Sequence, residues 1–99
     1  MILVKVSKDK KNTSVIVSGH SGIADKGEDI LCAAVSALAQ GTVIGLKNVL
    51  KEKITIEKND GYLYFRVRKN ASSDILIETF KESIKDLVSQ YPKHLKMEE

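Results

Sequence analysis

Two β-rich runs flank an Asp-Gly pair, and no other feature of this 99-residue chain narrows its fold as much. Ile54-Thr55-Ile56-Glu57-Lys58 precedes Asn59-Asp60-Gly61, and Tyr62 to Val67 follows. A two-residue turn that needs positive φ accepts Asp-Gly readily, so these runs form a tight antiparallel hairpin. In the second run Leu63, Phe65 and Val67 share one face, while Tyr62, Tyr64, Arg66 and Arg68 share the other. The first face suits a core. The second suits either a solvated outer sheet surface or a platform for nucleic acid or peptide.

A second hairpin opens the chain. Ile2, Val4 and Val6 alternate with Leu3 and Lys5, Asp9-Lys10-Lys11-Asn12 supplies turn residues, and Thr13 to Ser18 returns with Val15 and Val17 on one face. That hairpin ends at Gly19. Residues 19 to 28 contain three glycines and no apolar period, which reads as an irregular, mobile loop.

Asp29 stands as an N-cap before a helix expected from about Ile30 to about Leu50. Apolar or small residues occupy nearly every side of its first half, which predicts cover on more than one face. Ala33, Ala37, Gly41 and Gly45 form a stripe of small side chains, suited to a tight helix contact within the chain or a seam with a second subunit. A last helix opens near Ser73 and Asp74. It carries Ile77, Phe80, Ile84, Leu87, Val88 and Tyr91 at helical spacing and stops at Pro92. Residues 93 to 99 read as a frayed polar tail, with His94 a surface residue without a role. The expectation is therefore an α+β fold of order ββαββα. Two antiparallel hairpins form a sheet covered by two helices, in a single domain spanning residues 1 to 99.

Composition bounds the rest. With 16 Lys and Arg against 13 Asp and Glu, the net charge is +3, mildly basic and compatible with work near RNA. At this length roughly 60 to 65% of the unfolded surface can be buried, so cover from a second subunit would be natural. One cysteine forms no internal disulfide, the apolar start is too short for a signal sequence, and no segment approaches the length of a membrane span. These features point to a reducing cytoplasm. One cysteine and two distant histidines give no metal-ligand spacing, and neither a metal nor a cofactor is expected.

Cys32 carries the chemistry. With Asp29 as cap it falls in the first helical turn, where unpaired backbone amides lie near both its sulfur and a carbonyl it attacks. His20 can be carried over that turn by the loop and take the proton. Asp29 can orient His20, cap the helix, or do both, and Asp25 and Glu28 are further candidates. Ser36, one turn beyond Cys32, can line the pocket or bond back to the carbonyl four residues earlier. Gly22 and Gly27 can act as loop hinges or merely serve turns. In Leu31-Cys32-Ala33-Ala34-Val35 the cysteine can equally be a small buried hydrophobe.

Gly19-His20, Gly27, the twelve-residue step from His20 to Cys32, and the block Asp29-Ile30-Leu31-Cys32-Ala33-Ala34-Val35-Ser36 closely resemble the signature of the ribosomal-processing cysteine protease family. The resemblance spans essentially the whole chain. It implies a bacterial cysteine endopeptidase that removes a short N-terminal extension from the twenty-seventh large-subunit ribosomal protein, cleaving after a motif that contains aromatic residues. By position His20 matches the family's base and Cys32 its nucleophile, while Asp29 and Ser36 match further motif positions. It also implies a homodimer with the ribosomal protein precursor as substrate, and no stable nucleic-acid or membrane partner. Two other functions suit the same residues: a ribosome- or RNA-associated binding protein, and a redox-sensing thiol protein.

Overall fold

A computed structural model of the chain describes residues 1–20 and 29–99. β1 (Ile2–Lys8) and β2 (Asn12–Gly19) form the first hairpin, with Val4 opposite Val17 and Val6 opposite Val15. Its turn is fixed by Asp9, whose Oδ1 accepts from the amides of Lys11 and Asn12, both at 2.7 Å. β3 (Ile54–Asn59) and β4 (Tyr62–Arg68) form the second, closed by Asp60 and Gly61, and Gly61 has the positive φ of 66° that such a turn needs.

The hairpins join through β2 and β4, with Val15 opposite Phe65. This register puts Ile2, Val4, Val6, Val15, Leu63, Phe65 and Val67 on one buried face. α1 (Ile30–Ile44) lays Leu31, Val35 and Ala39 on that face and continues through a wider π turn over Gly45–Val49. α2 (Ala71–Gln90) adds Ile77, Phe80 and Ile84, and the Phe80 ring meets Phe65 edge-on with centroids 6.4 Å apart. Both helices therefore cover one face of the sheet.

Several expectations need correction. The tail is not frayed: β5 (Leu95–Glu98) runs parallel to β1, giving sheet order β3-β4-β2-β1-β5 and element order ββαββαβ. Leu95 is 1% exposed, and His94, expected at the surface, is half-buried, its backbone carbonyl accepting the Ile2 amide at 2.9 Å. A four-residue strand is too short to announce itself by alternation, and its partner lies ninety residues away. α2 begins at Ala71, ahead of Ser73. Asn70 is the cap, and Ser73 returns a bond to the Asn70 amide in a capping box.

The small-residue stripe on α1 divides. A Cβ at Gly45 would meet Leu76 Cδ1 at 2.9 Å, so that glycine admits α2, whereas Ala33, Ala37 and Gly41 are exposed. The sheet core and α2 thus cover other faces of α1, and the face that carries Ala33, Ala37 and Gly41 is left open by the described residues. The helical stretch Ile30–Val49 is also long and apolar enough to cross a membrane by length and composition, contrary to the expectation that no segment is. Leu31, Val35, Ala39 and Leu46 pack into the domain core, and a core helix meets the same criteria.

Candidate active site

Two elements meet where the sequence places its chemistry. β2 ends at Gly19, whose φ of 92° and whose distance from Met1 leave no room for a side chain: a Cβ there would lie 2.3 Å from the Met1 carbonyl oxygen. That close approach sets His20 at the sheet's end. The His20 carbonyl accepts from the Met1 ammonium, and its imidazole lies over Gly61, where a Cβ would meet Nε2 at 2.9 Å. A further bond, Gly19 amide to Gly61 carbonyl at 2.9 Å, ties the same turn to β2. The turn between β3 and β4 is therefore the seat of the imidazole.

Cys32 sits across from it in the first turn of α1. Both residues line one cleft of about 600 Å³ between α1 and the β3–β4 turn, with Val17, Val35, Ala39 and Leu63 among its apolar walls. Asp29 is the N-cap, as the sequence suggests: Oδ1 accepts from the Cys32 amide at 3.0 Å. Its other oxygen accepts from the Cys32 thiol at 3.2 Å. The Cys32 amide bond, above all, holds the Asp29 carboxyl below its ordinary range, helped by the thiol, the Leu31 amide and the charge of His20, and opposed by desolvation. First-turn amides expected to be free for a substrate oxygen are thus engaged by Asp29 in this state.

Ser36 lines the cleft, and the alternative of a bond back along the helix is not what forms. Its Oγ accepts from Gln40 Nε2 at 2.7 Å, and Gln40 Oε1 accepts from Lys58 Nζ at 3.2 Å, a polar strap from α1 to β3. Gln40 and Lys58 escaped the sequence reading. Gln40 continues the four-residue step Cys32, Ser36, Gln40, which was a legible signal, whereas Lys58 reaches the cleft through tertiary packing. Tyr62, read with Tyr64, Arg66 and Arg68 as an outer-face residue, also lines the cleft. Gly22 and Gly27, proposed as hinges, lie outside the described residues, as do Asp25 and Glu28. Among the described residues no group of three or more His, Cys, Asp or Glu side chains could hold a metal ion.

A cysteine in a capped first turn that shares one cleft with a histidine in an α+β domain is an arrangement suited to a thiol hydrolase. The sequence profile of the family described as cysteine protease Prp matches residues 1–96, and the chain belongs to that family. It is 26% identical over 98 residues to the ribosomal processing cysteine protease Prp of Staphylococcus aureus, covering 95% of this chain and 92% of that one. The protein of the same name in Bacillus subtilis is 26% identical over 102 residues, covering 95% and 91%. In three dimensions the chain superposes with TM-score 0.91 on a crystal structure of the essential S. aureus ribosomal processing protease Prp with a covalently linked product peptide. Identity there is 26%, over 99% of this chain and 98% of the other.

Proposed function

We propose that this protein is a cysteine endopeptidase that removes the N-terminal extension of the twenty-seventh large-subunit ribosomal protein, with Cys32 as nucleophile and His20 as base. The observation that carries the assignment of roles is that separate elements bring Cys32 and His20 into the lining of one cleft. The reaction type rests on family membership and on the relatives' activity as ribosomal processing cysteine proteases.

The arriving substrate carbonyl takes the Leu31 and Cys32 amides from Asp29, freeing its carboxylate to turn to the imidazole. The sulfur proton passes to His20, and the thiolate forms a bond to the carbonyl carbon as its oxygen gains charge against those amides. Collapse breaks the C–N bond, and His20 gives its proton to the departing amine. Water, deprotonated by His20, then attacks the thioester, the C–S bond breaks to release the excised extension with its new carboxyl end, and His20 returns the proton to the sulfur.

The exposed stripe Ile30, Ala33, Ala37, Gly41 and Ile44 supports pairing with a second copy through α1, since Ile30 is 78% and Ile44 55% exposed in the single chain. A lone cysteine that must stay reduced suits the cytoplasm. Incubating the purified protein with the precursor, and reading the new N-terminus by mass, tests the proposal. Cys32→Ala is expected to keep the fold and lose all cleavage; cleavage at the wild-type rate by that variant would refute the role of the sulfur. Steep salt-dependent RNA binding without proteolysis would favour an RNA-associated protein instead.

A further inference from the structure

β3 is an edge strand, and among the described residues nothing pairs with its outer side. Which of its backbone groups are open follows from the register. Asn59 and Tyr62 close a two-residue loop and so exchange bonds with each other, and the alternation of an antiparallel ladder makes Glu57–Tyr64 and Thr55–Arg66 the other bonded pairs. The opposite side of β4 agrees: Gly61 accepts from Gly19 and Lys69 donates to Lys11, so the odd-numbered residues of β4 face β2. The amides and carbonyls of Ile54, Ile56 and Lys58 therefore point outward from the sheet.

This open ladder ends in the cleft. Lys58 and Asn59 line it together with Cys32, and Thr55 to Asn59 are exposed along their whole length. An endopeptidase has to hold an extended segment of its substrate, and an exposed sheet edge offers main-chain bonds to such a segment. We propose that the substrate peptide adds to β3 as a sixth strand, bonded to the backbone of Ile54, Ile56 and Lys58, and enters the cleft beside Lys58. The proposal rests on the protease reading for the nature of the occupant. Alternate peptide side chains then fall on the helix side of the sheet, toward the Cys32-Ser36-Gln40 face, and the intervening ones face solvent.

Proline gives a direct test, because it removes one amide and is tolerated on an edge strand where that amide faces solvent. Lys58→Pro is compared with Lys58→Ala, which removes the same side chain and keeps the amide. KM for a synthetic peptide spanning the extension and first mature residues of the precursor is expected to be about 3- to 10-fold higher in the proline variant, the loss of one ladder hydrogen bond. The melting temperature and kcat should match those of Lys58→Ala. Ile56→Pro should repeat the effect on KM, and equal KM in the proline and alanine variants would overturn the pairing.

Amide exchange supplies a readout independent of turnover and of whether a proline variant folds. In Cys32→Ala protein saturated with the same peptide, the Ile56 and Lys58 amides should exchange at least about 10-fold more slowly while Glu57, already bonded to β4, changes little. Unaltered exchange at Ile56 and Lys58, or no binding, would overturn the proposal. Wild-type protein that fails to cleave would instead strike the protease reading, and exchange at the edge would still decide the pairing.

Discussion

The two edges of the five-stranded sheet are treated in opposite ways. At one edge β5 is short, pairs parallel with β1 and buries Leu95, and Glu99, the residue after it, is tied to α2 by charge: Lys81 pairs with Glu99 and, within α2, with Glu78 at 3.2 Å, while Lys85 reaches Glu99 at 3.5 Å. At the other edge β3 is exposed from Thr55 to Asn59 and borders the cleft that holds Cys32 and His20. Stability is concentrated at the first edge and access at the second. A small domain that must admit a peptide can leave one edge unpaired because the remaining strands carry the core.

The largest effect should come from truncating the closed edge. Leu95→Ala removes a fully buried side chain from the core and is expected to cost about 2–5 kcal/mol, a fall in melting temperature of roughly 10 °C or more for a domain of this size. Ile56, 41% exposed on the open edge, should lose about 1 kcal/mol or less on the same change. Thermal melts of the two variants compare the edges directly, and equal losses would break the contrast.

A smaller effect separates the edges by pH. Amine hydrogen bonds hold Glu99 and Glu78 below the ordinary glutamate range, from Lys81 for Glu99 and from Lys81 and then Lys8 for Glu78. A carboxyl depressed in the folded state contributes stability that is fully present above its unfolded value and is lost as pH falls through its folded one. The clasp should therefore weaken in acid, below the ordinary value of 4.5 for a glutamate. Lys81, raised chiefly by Glu99, keeps its contribution until the pH climbs through its own elevated value. In Lys81→Met the acid limb of the melting curve should be shallower, and exchange at β5 amides should no longer quicken selectively as the pH falls below the ordinary glutamate value. An unchanged acid limb would mean that the ion pairs leave β5 indifferent to charge.

How much of this was legible follows local chemistry. Asp60-Gly61 announced the second hairpin, and the alternation of Leu63, Phe65 and Val67 announced its buried face, because both depend on neighbours within a few residues. Asp29 as cap was legible for the same reason. Leu95-Lys96-Met97-Glu98 was not, since its strand exists only through β1, and the seat of His20 on Gly61 joins residues forty-one apart in sequence. In the site, residue identities singled out His20 and Cys32 for one cleft and left Asp29 to cap the helix, orient His20 or do both, but its bond to the Cys32 thiol was not among those roles. Side-chain choice among competing donors is settled by packing, which spacing does not encode.

The smallest effect on stability, and the one that probes the open edge most finely, belongs to Asp29→Asn. Asparagine is as good an N-cap as aspartate, so the bond to the Cys32 amide survives and the melting temperature near neutral pH should change by no more than a few degrees. What disappears is the anion. In wild type the depressed Asp29 carboxyl adds a stability increment that is present above its unfolded value and lost as pH falls through the folded one, and the variant should lack that part of the acid limb. Reactivity should move further than stability. The wild-type sulfur lies 3.2 Å from a carboxylate oxygen, which a thiolate would face as a like charge, so iodoacetamide should label Asp29→Asn severalfold faster at pH 7 in the absence of substrate. Peptide cleavage should slow, because the proposed cycle turns the freed carboxylate toward His20 once substrate takes the amides. Faster labelling with slower cleavage would separate Asp29's restraint on the resting thiol from its support of the imidazole. Labelling and cleavage slowed together would show that the carboxylate assists the sulfur at every stage, and the displacement step would have to be abandoned.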